Sequence, residues 1–130
     1  MMAVSFTLPY PPSANHYWKT RIITPRGRKP FPQFYISPAG KQYRRDVEAA
    51  IVEQFGPLKP TAARLKVTIL AIMPDRRVRD LSNILKATED ALTAALVWQD
   101  DNQIDDLRVV RGRVEKPGWL EVDLEKLTDG

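Results

Sequence analysis

The residues best suited to chemistry on a phosphate lie between positions 73 and 103. Asp80 stands where a strand-like run ends and a helix-like run begins, Lys86 follows within two helical turns, and Asp101 lies in an acidic segment further on. Three arginines precede Asp80: Arg76, Arg77 and Arg79. Magnesium and manganese prefer carboxylate oxygens, and nucleases combine such ions with a lysine to cut phosphodiesters. Metal-dependent phosphodiester cleavage is therefore one hypothesis for this chain.

Each of these residues also has a purely structural interpretation. Asp80 is well placed to cap the N-terminus of a helix, and residues 100–101 could form an ordinary polar turn. Lys86 could pair with Glu89 or Asp90 on the helix surface. The three arginines could belong to a solvated loop. Spacing alone leaves both interpretations open.

Composition limits the range of functions. The 130 residues, 43% of them hydrophobic, predict one domain with a buried core. The absence of cysteine excludes disulfides and thiolate zinc sites, and the single His16 argues against a Ser-His-Asp triad. No apolar run approaches the roughly 18 residues needed to span a membrane, and no signal peptide is recognisable. We therefore expect a cytoplasmic protein without a membrane segment, and no pattern indicates a small-molecule cofactor.

Charge is distributed unevenly along the chain. Residues 1–45 contain eight Lys and Arg and no acidic residue, whereas residues 46–130 contain twelve Lys and Arg against sixteen acidic residues. This asymmetry indicates a cationic surface for a polyanion beside an acidic centre. A solvated basic face is the alternative.

The N-terminal third predicts two elements separated by an irregular segment. Alternating apolar residues predict a strand over 3–8. Residues 14–33 are polar, basic and aromatic, and we predict a long loop or basic arm there. Its Tyr17 and Trp18 could stack on bases or simply fill the core. A short strand is predicted over 33–36.

The remainder predicts regular elements. Ser37 and Pro38 are typical of a helix start, and Gly56 is typical of a helix end. The predicted elements are a helix over 38–56, a strand over 65–73 that ends buried on both faces, a helix over 81–96, and strands over 106–114 and 119–125. This order predicts an α+β fold, a single domain over 1–130 with a mixed β-sheet and two main helices packed on one face.

The motifs resemble those of a known family. The run from Met73 to Asn83, with Lys86 and the later segment Trp98–Gln103, looks like the RusA family of Holliday junction resolvases. The segment Leu8–Asn15 is similar as well. The resemblance implies a homodimeric, magnesium-dependent endonuclease that resolves four-way DNA junctions by paired symmetric nicks in recombination and repair. Such proteins are commonly carried by prophages.

The resemblance also implies roles for individual residues. Asp80 and Asp101 would be metal ligands, with Asp100 as a further candidate, and Lys86 would lie beside the scissile phosphate. Manganese would be a substitute for magnesium. The expected DNA contacts are Lys19, Arg21, Arg26, Arg28, Lys29, Lys41, Arg44, Arg76, Arg77, Arg79, Asn83 and Gln103.

One position departs from the family pattern, because Ser82 stands where the family has a metal-ligand aspartate. Ser82 could bind through a water, with Asp100 or Asn83 filling the vacant position. Alternatively, the protein binds junctions but cuts them poorly, or the serine was introduced to trap an uncut state. A nuclease for other branched or flap DNA is a third function class.

Overall fold

The computed structural model describes residues 3–128. Its elements in chain order are β1 (Ala3–Pro9), α1 (Ala14–Tyr17), β2 (Trp18–Ile23), β3 (Phe31–Ile36), α2 (Pro38–Phe55), β4 (Leu65–Met73), α3 (Leu81–Ala94), β5 (Ile104–Val114) and β6 (Trp119–Lys126), with a 3₁₀ turn over Asp101–Gln103 before β5. Within residues 3–128 no helix is both long and apolar enough to cross a membrane.

Four strands form one mixed sheet in the order β1-β6-β4-β5. The outer strand β5 runs parallel to β4, and α3 makes the crossover between them. Strand β6 pairs antiparallel with both β1 and β4. The prediction of an α+β fold with a mixed sheet and two main helices is confirmed.

The core lies between this sheet and the helices α2 and α3. Alternate residues of β4, such as Val67 and Ile69, are buried with Val47 of α2 and Leu92 of α3. Burying these side chains is worth roughly 1.5–3 kcal/mol each. The last residues of β4 are buried on both faces, Ile72 included, as predicted for a central strand.

Helix α2 starts where the sequence indicates. The Ser37 hydroxyl accepts a hydrogen bond from the Gly40 amide at 3.0 Å, and Pro38 is the first helical residue. A Cβ at Gly40 would lie 2.5 Å from the carbonyl oxygen of Tyr17. Glycine at this position therefore allows α1 to approach α2 closely.

Helix α3 ends two residues before the predicted residue 96. Leu96 has a φ of 65°, which is the left-handed conformation that terminates a helix. The amide of Val97 then bonds back to the carbonyl of Leu92. A non-glycine residue in this conformation gives no signal in the sequence.

The prediction of a long loop over 14–33 is wrong. The segment forms α1 and most of an antiparallel hairpin, in which Trp18 pairs with Ile36 and Thr20 with Phe34. Both strands remain largely exposed, so their residues show no alternation of buried and polar positions. The short strand predicted over 33–36 exists and begins at Phe31.

Candidate active site

The loop after β4 delivers Asp80 to the start of α3. Asp80 occupies the N-cap position in extended conformation, yet its side chain makes no capping hydrogen bond and is exposed. A cleft of about 520 Å³ lies beside it, and Asn83 and Arg77 line the same cleft. The Asp80 carboxylate therefore faces a cleft and does not cap the helix.

The three arginines before Asp80 differ in their contacts. Arg79 binds Asp75 through two nitrogens, and its guanidinium lies 5.8 Å from the centre of the Tyr10 ring. The hydrogen bonds from Arg79 and from the Arg77 amide hold the pKa of Asp75 well below its usual range. The Arg77 side chain comes only to 3.8 Å from the Asp75 carboxylate and is 82% exposed. The predicted phosphate contact of Arg79 would therefore compete with Asp75, whereas Arg76 is exposed.

A second group of polar side chains lies along α3. Ser82, Lys86 and Glu89 are spaced four and three residues apart, so they share one face of the helix. Glu89 is half-buried, and its carboxyl lies beside that of Asp101 in the 3₁₀ turn. Burial first, and then the hydrogen bond with Asp101 and its charge, raise the pKa of Glu89 to about 7, although Lys86 acts in the opposite direction. Lys86, Glu89 and Asp101 are thus brought together.

The residues beside Asp101 are structural. The Asp100 carboxylate accepts a hydrogen bond from the Asn102 amide at 2.9 Å and caps the 3₁₀ turn. Gln103 is buried, and its side-chain amide bonds to the backbone of Gln99, Asp100, Thr61 and Ala63. A DNA contact of Gln103, as predicted, would require its amide to leave these partners. Metal binding by Asp100 would compete with its role as the cap of the turn.

Asp80, at the N-cap of α3, and Glu89, within the helix, are well separated along the helix axis. Glu89 follows Asp80 by nine residues, which is about 13 Å along a helix axis. The chain after α3 folds back to the face of the helix that carries Lys86 and Glu89. Within the described residues 3–128, no group of three acidic or histidine side chains lies close enough to hold a metal ion.

A hydrogen-bond network that the sequence did not reveal joins α3 to α1 and α2. The Tyr17 hydroxyl donates to Asp90, and Arg44 donates to the same carboxylate through Nε at 2.7 Å and Nη2 at 2.9 Å. Burial, together with the bond to Asp90, raises the pKa of Tyr17 above its ordinary value. The predicted DNA contact of Arg44 would compete with this ion pair, and the buried Tyr17 fills the core, which is one of its two predicted roles.

Other predicted DNA contacts remain at the surface. A second cleft, of about 620 Å³, is lined by Lys86 and by Trp18, Lys19 and Phe34 of the hairpin. The exposed cations of the N-terminal third are Lys19, Arg21, Arg26, Arg28, Lys29 and Lys41. Phe34 was not identified from the sequence, although an aromatic residue within a basic segment is a usable signal.

Comparison with known proteins shows which family the chain resembles. The family model described as Endodeoxyribonuclease RusA matches residues 9–125. The chain is 44% identical over 118 residues, 91% of its length and 89% of the relative's, to the crossover junction endodeoxyribonuclease of Enterobacteria phage HK97. It is 41% identical to that of Escherichia coli K12 over 127 residues, 98% of both chains. The corresponding protein of Enterobacteria phage 82 is 40% identical over the same share.

Proposed function

The chain belongs to the RusA family of endodeoxyribonucleases, and from this membership we infer that it is a crossover junction endodeoxyribonuclease, a hydrolase acting on DNA. Its substrate is the four-way (Holliday) junction, and it acts in the cytoplasm in DNA recombination and repair. The observation that carries this inference is the similarity to proteins of that name over nearly the full length of both chains. The phage relatives support the expectation of a prophage origin.

We propose that Asp101 and Glu89 hold a magnesium ion, for which manganese can substitute. Magnesium is usually bound through one or two carboxylates, with waters and substrate phosphates completing its coordination. The adjacent carboxylates of Asp101 and Glu89 fit that donor set. When bound, the ion supplies Lewis-acid polarisation of the phosphodiester and an acidified water.

Glu89 replaces the carboxylate that Ser82 lacks. The two positions are seven residues apart, which is two helical turns, so they lie almost on one line of α3. Helical side chains point towards the helix N-terminus, and glutamate is one methylene longer than aspartate. The carboxylate of Glu89 is thereby directed back along the face that carries Ser82 and Lys86.

The remaining side chains bind and orient the DNA. The Lys86 ammonium, exposed on the same face of α3, neutralises negative charge that develops on the attacked phosphate. Asp80 and Asn83 face the neighbouring cleft, where Arg77 holds a phosphate. Two symmetric nicks require two such sites, so the working form is a homodimer.

A junction-binding protein with weak or absent cleavage is the second candidate. Ser82 favours it, because a neutral hydroxyl is a poor magnesium ligand. In that case Glu89 and Asp101 would only stabilise the turn, and metal would not alter the DNA product.

A single-turnover nicking assay on a synthetic four-way junction separates the two candidates. Magnesium, manganese and EDTA are run in parallel, with a linear duplex of the same sequence as control. Symmetric nicks that require metal are expected. Tight junction binding without nicks under either metal would overturn the enzymatic proposal and leave the binding protein.

A further inference from the structure

The hairpin of β2 and β3 is the most exposed ordered part of residues 3–128. It forms a sheet of its own, and it presents large apolar side chains to solvent, with Phe34 72% and Ile22 67% exposed. An isolated two-stranded hairpin is marginally stable in water. Exposed apolar groups of this size usually mark a binding surface.

One face of the hairpin lines a cleft that also contains Lys86. Trp18 and Phe34 occupy diagonal positions on that face, since Thr20 pairs with Phe34 and Trp18 with Ile36. Both aromatic residues line the cleft of about 620 Å³ that also contains Lys86. The Trp18 ring lies 4.3 Å from the buried Tyr17 ring, so it is anchored in the core, whereas Phe34 has a free face.

The charge of the hairpin indicates which kind of molecule binds to it. The segment 18–36 contains no acidic residue, and its five cations are Lys19, Arg21, Arg26, Arg28 and Lys29. A second copy of the same hairpin would meet like charge, which disfavours self-association through this face. Cations interleaved with exposed aromatic rings are the arrangement that binds unpaired nucleic acid, the rings stacking on bases and the cations holding phosphates.

We propose that this cleft binds an unpaired nucleotide next to the phosphate that Lys86 contacts, with its base stacked on Phe34. The inference rests on the proposed function and extends it to how branched DNA is distinguished from duplex. Bases within a continuous duplex are already stacked on their neighbours. A base at the branch point has a free face, and Phe34 provides the partner for it.

Photocrosslinking tests the contact directly on the full chain. A four-way junction carries 5-iodouracil either at the branch point or in the middle of an arm, and binding is performed in EDTA so that no cleavage occurs. We expect a crosslink to Phe34, located by mass spectrometry, only from the branch-point position. A crosslink from both positions with equal yield would overturn the proposal.

Affinity measurements provide the matched comparison. Phe34→Ala should weaken junction binding on the order of tenfold, as expected for loss of one base–aromatic stack, and should leave linear duplex binding unchanged. Phe34→Trp should retain the affinity. Ile22→Ala is the control, because Ile22 is similarly exposed on the same hairpin but does not line the cleft.

The outcomes separate this inference from the function on which it rests. If the wild-type protein nicks junctions and Phe34→Ala binds them equally well, only the stacking role is overturned. The stacking role is also overturned if Phe34→Ala weakens binding because the dimer dissociates, as measured by light scattering. If the wild-type protein neither prefers nor nicks junctions, the proposed function itself fails.

Discussion

The two ends of α3 carry different chemistry. At the N-terminus, the Asp80 side chain is exposed and makes no capping hydrogen bond, and the next polar residue on the helix is the neutral Ser82. In the third turn, Glu89 lies against Asp101, one turn after Lys86. The backbone of Glu89 therefore lies roughly 10 Å further along the helix axis than that of Ser82, where the family pattern has an aspartate.

The proposed site at Glu89 and Asp101 requires that a ligand position move along a helix while the fold stays the same. Residues two turns apart share a line on the helix surface, and a longer side chain tilted towards the N-terminus spans part of the distance. The turn that presents Asp101 is fixed independently, by the Asp100 cap and the buried Gln103 amide. Only the second carboxylate then has to change, from an aspartate at position 82 to Glu89.

The largest expected effect is that of Asp101→Asn. Asp101 is the proposed metal ligand whether its partner is Asp80, at the start of α3, or Glu89, in the third turn. We expect nicking to fall on the order of 10²–10³-fold, the usual cost of removing a group that stabilises the transition state. Junction affinity in EDTA should stay unchanged. Asp106→Asn is the control, since this carboxylate only approaches Arg108 at 3.9 Å. Wild-type nicking by the Asp101 variant would refute the site.

The second prediction decides which end of α3 binds the metal. Glu89→Gln should lower manganese affinity, measured calorimetrically without DNA, by at least the roughly 10–100-fold that loss of supporting groups costs metal sites. Ser82→Asp should restore part of that affinity in the Glu89→Gln background, because it returns a carboxylate to the same line of the helix. Asp80→Asn should have a smaller effect without DNA. If Asp80→Asn abolishes manganese binding and Glu89→Gln does not, the metal site lies at the N-terminal end of α3 and not at its third turn.

The sequence predicted the scaffold of this site well. Ser37 and Pro38 start α2 as expected, and β4 is central and buried as its apolar run indicates. Local signals sufficed there because caps and apolar runs act over a few residues. Glu89 was considered only as a partner for Lys86, since its contact with Asp101 depends on how the chain folds back after α3.

Long-range pairing also explains why the contacts of other residues were not predicted. Arg44 meets Asp90 across 46 positions, and Tyr17 meets it across 73, so neither contact leaves a local pattern. Gln103 is polar in sequence yet buried, because its amide replaces backbone hydrogen bonds that the turn cannot make itself. A buried polar side chain of this kind is identified only by its partners.

The third prediction concerns a carboxylate of α3 that is structural. Asp90→Asn should lower the free energy of unfolding by about 1–2 kcal/mol, because it weakens charge-assisted hydrogen bonds from Arg44 and Tyr17 that are partly exposed to solvent. Urea denaturation measures this change. Arg45→Ala is the control, as Arg45 is exposed and bonds only to Gln42. Manganese affinity at low temperature should stay near the wild-type value; a loss like that of Glu89→Gln would place Asp90 in the metal site.

The smallest expected effect concerns the arginines at the N-terminal end of α3. Arg76→Ala should weaken junction binding a few-fold and reduce the slope of log affinity against log salt by about one, since it removes one phosphate contact. Arg79→Ala should change that slope less, because Asp75 already neutralises Arg79. Titrations at several salt concentrations, in EDTA and on the same junction, compare the two variants. Equal slopes would mean that DNA displaces Asp75 from Arg79, and the N-terminal end of α3 would then rearrange on binding while its third turn stays fixed.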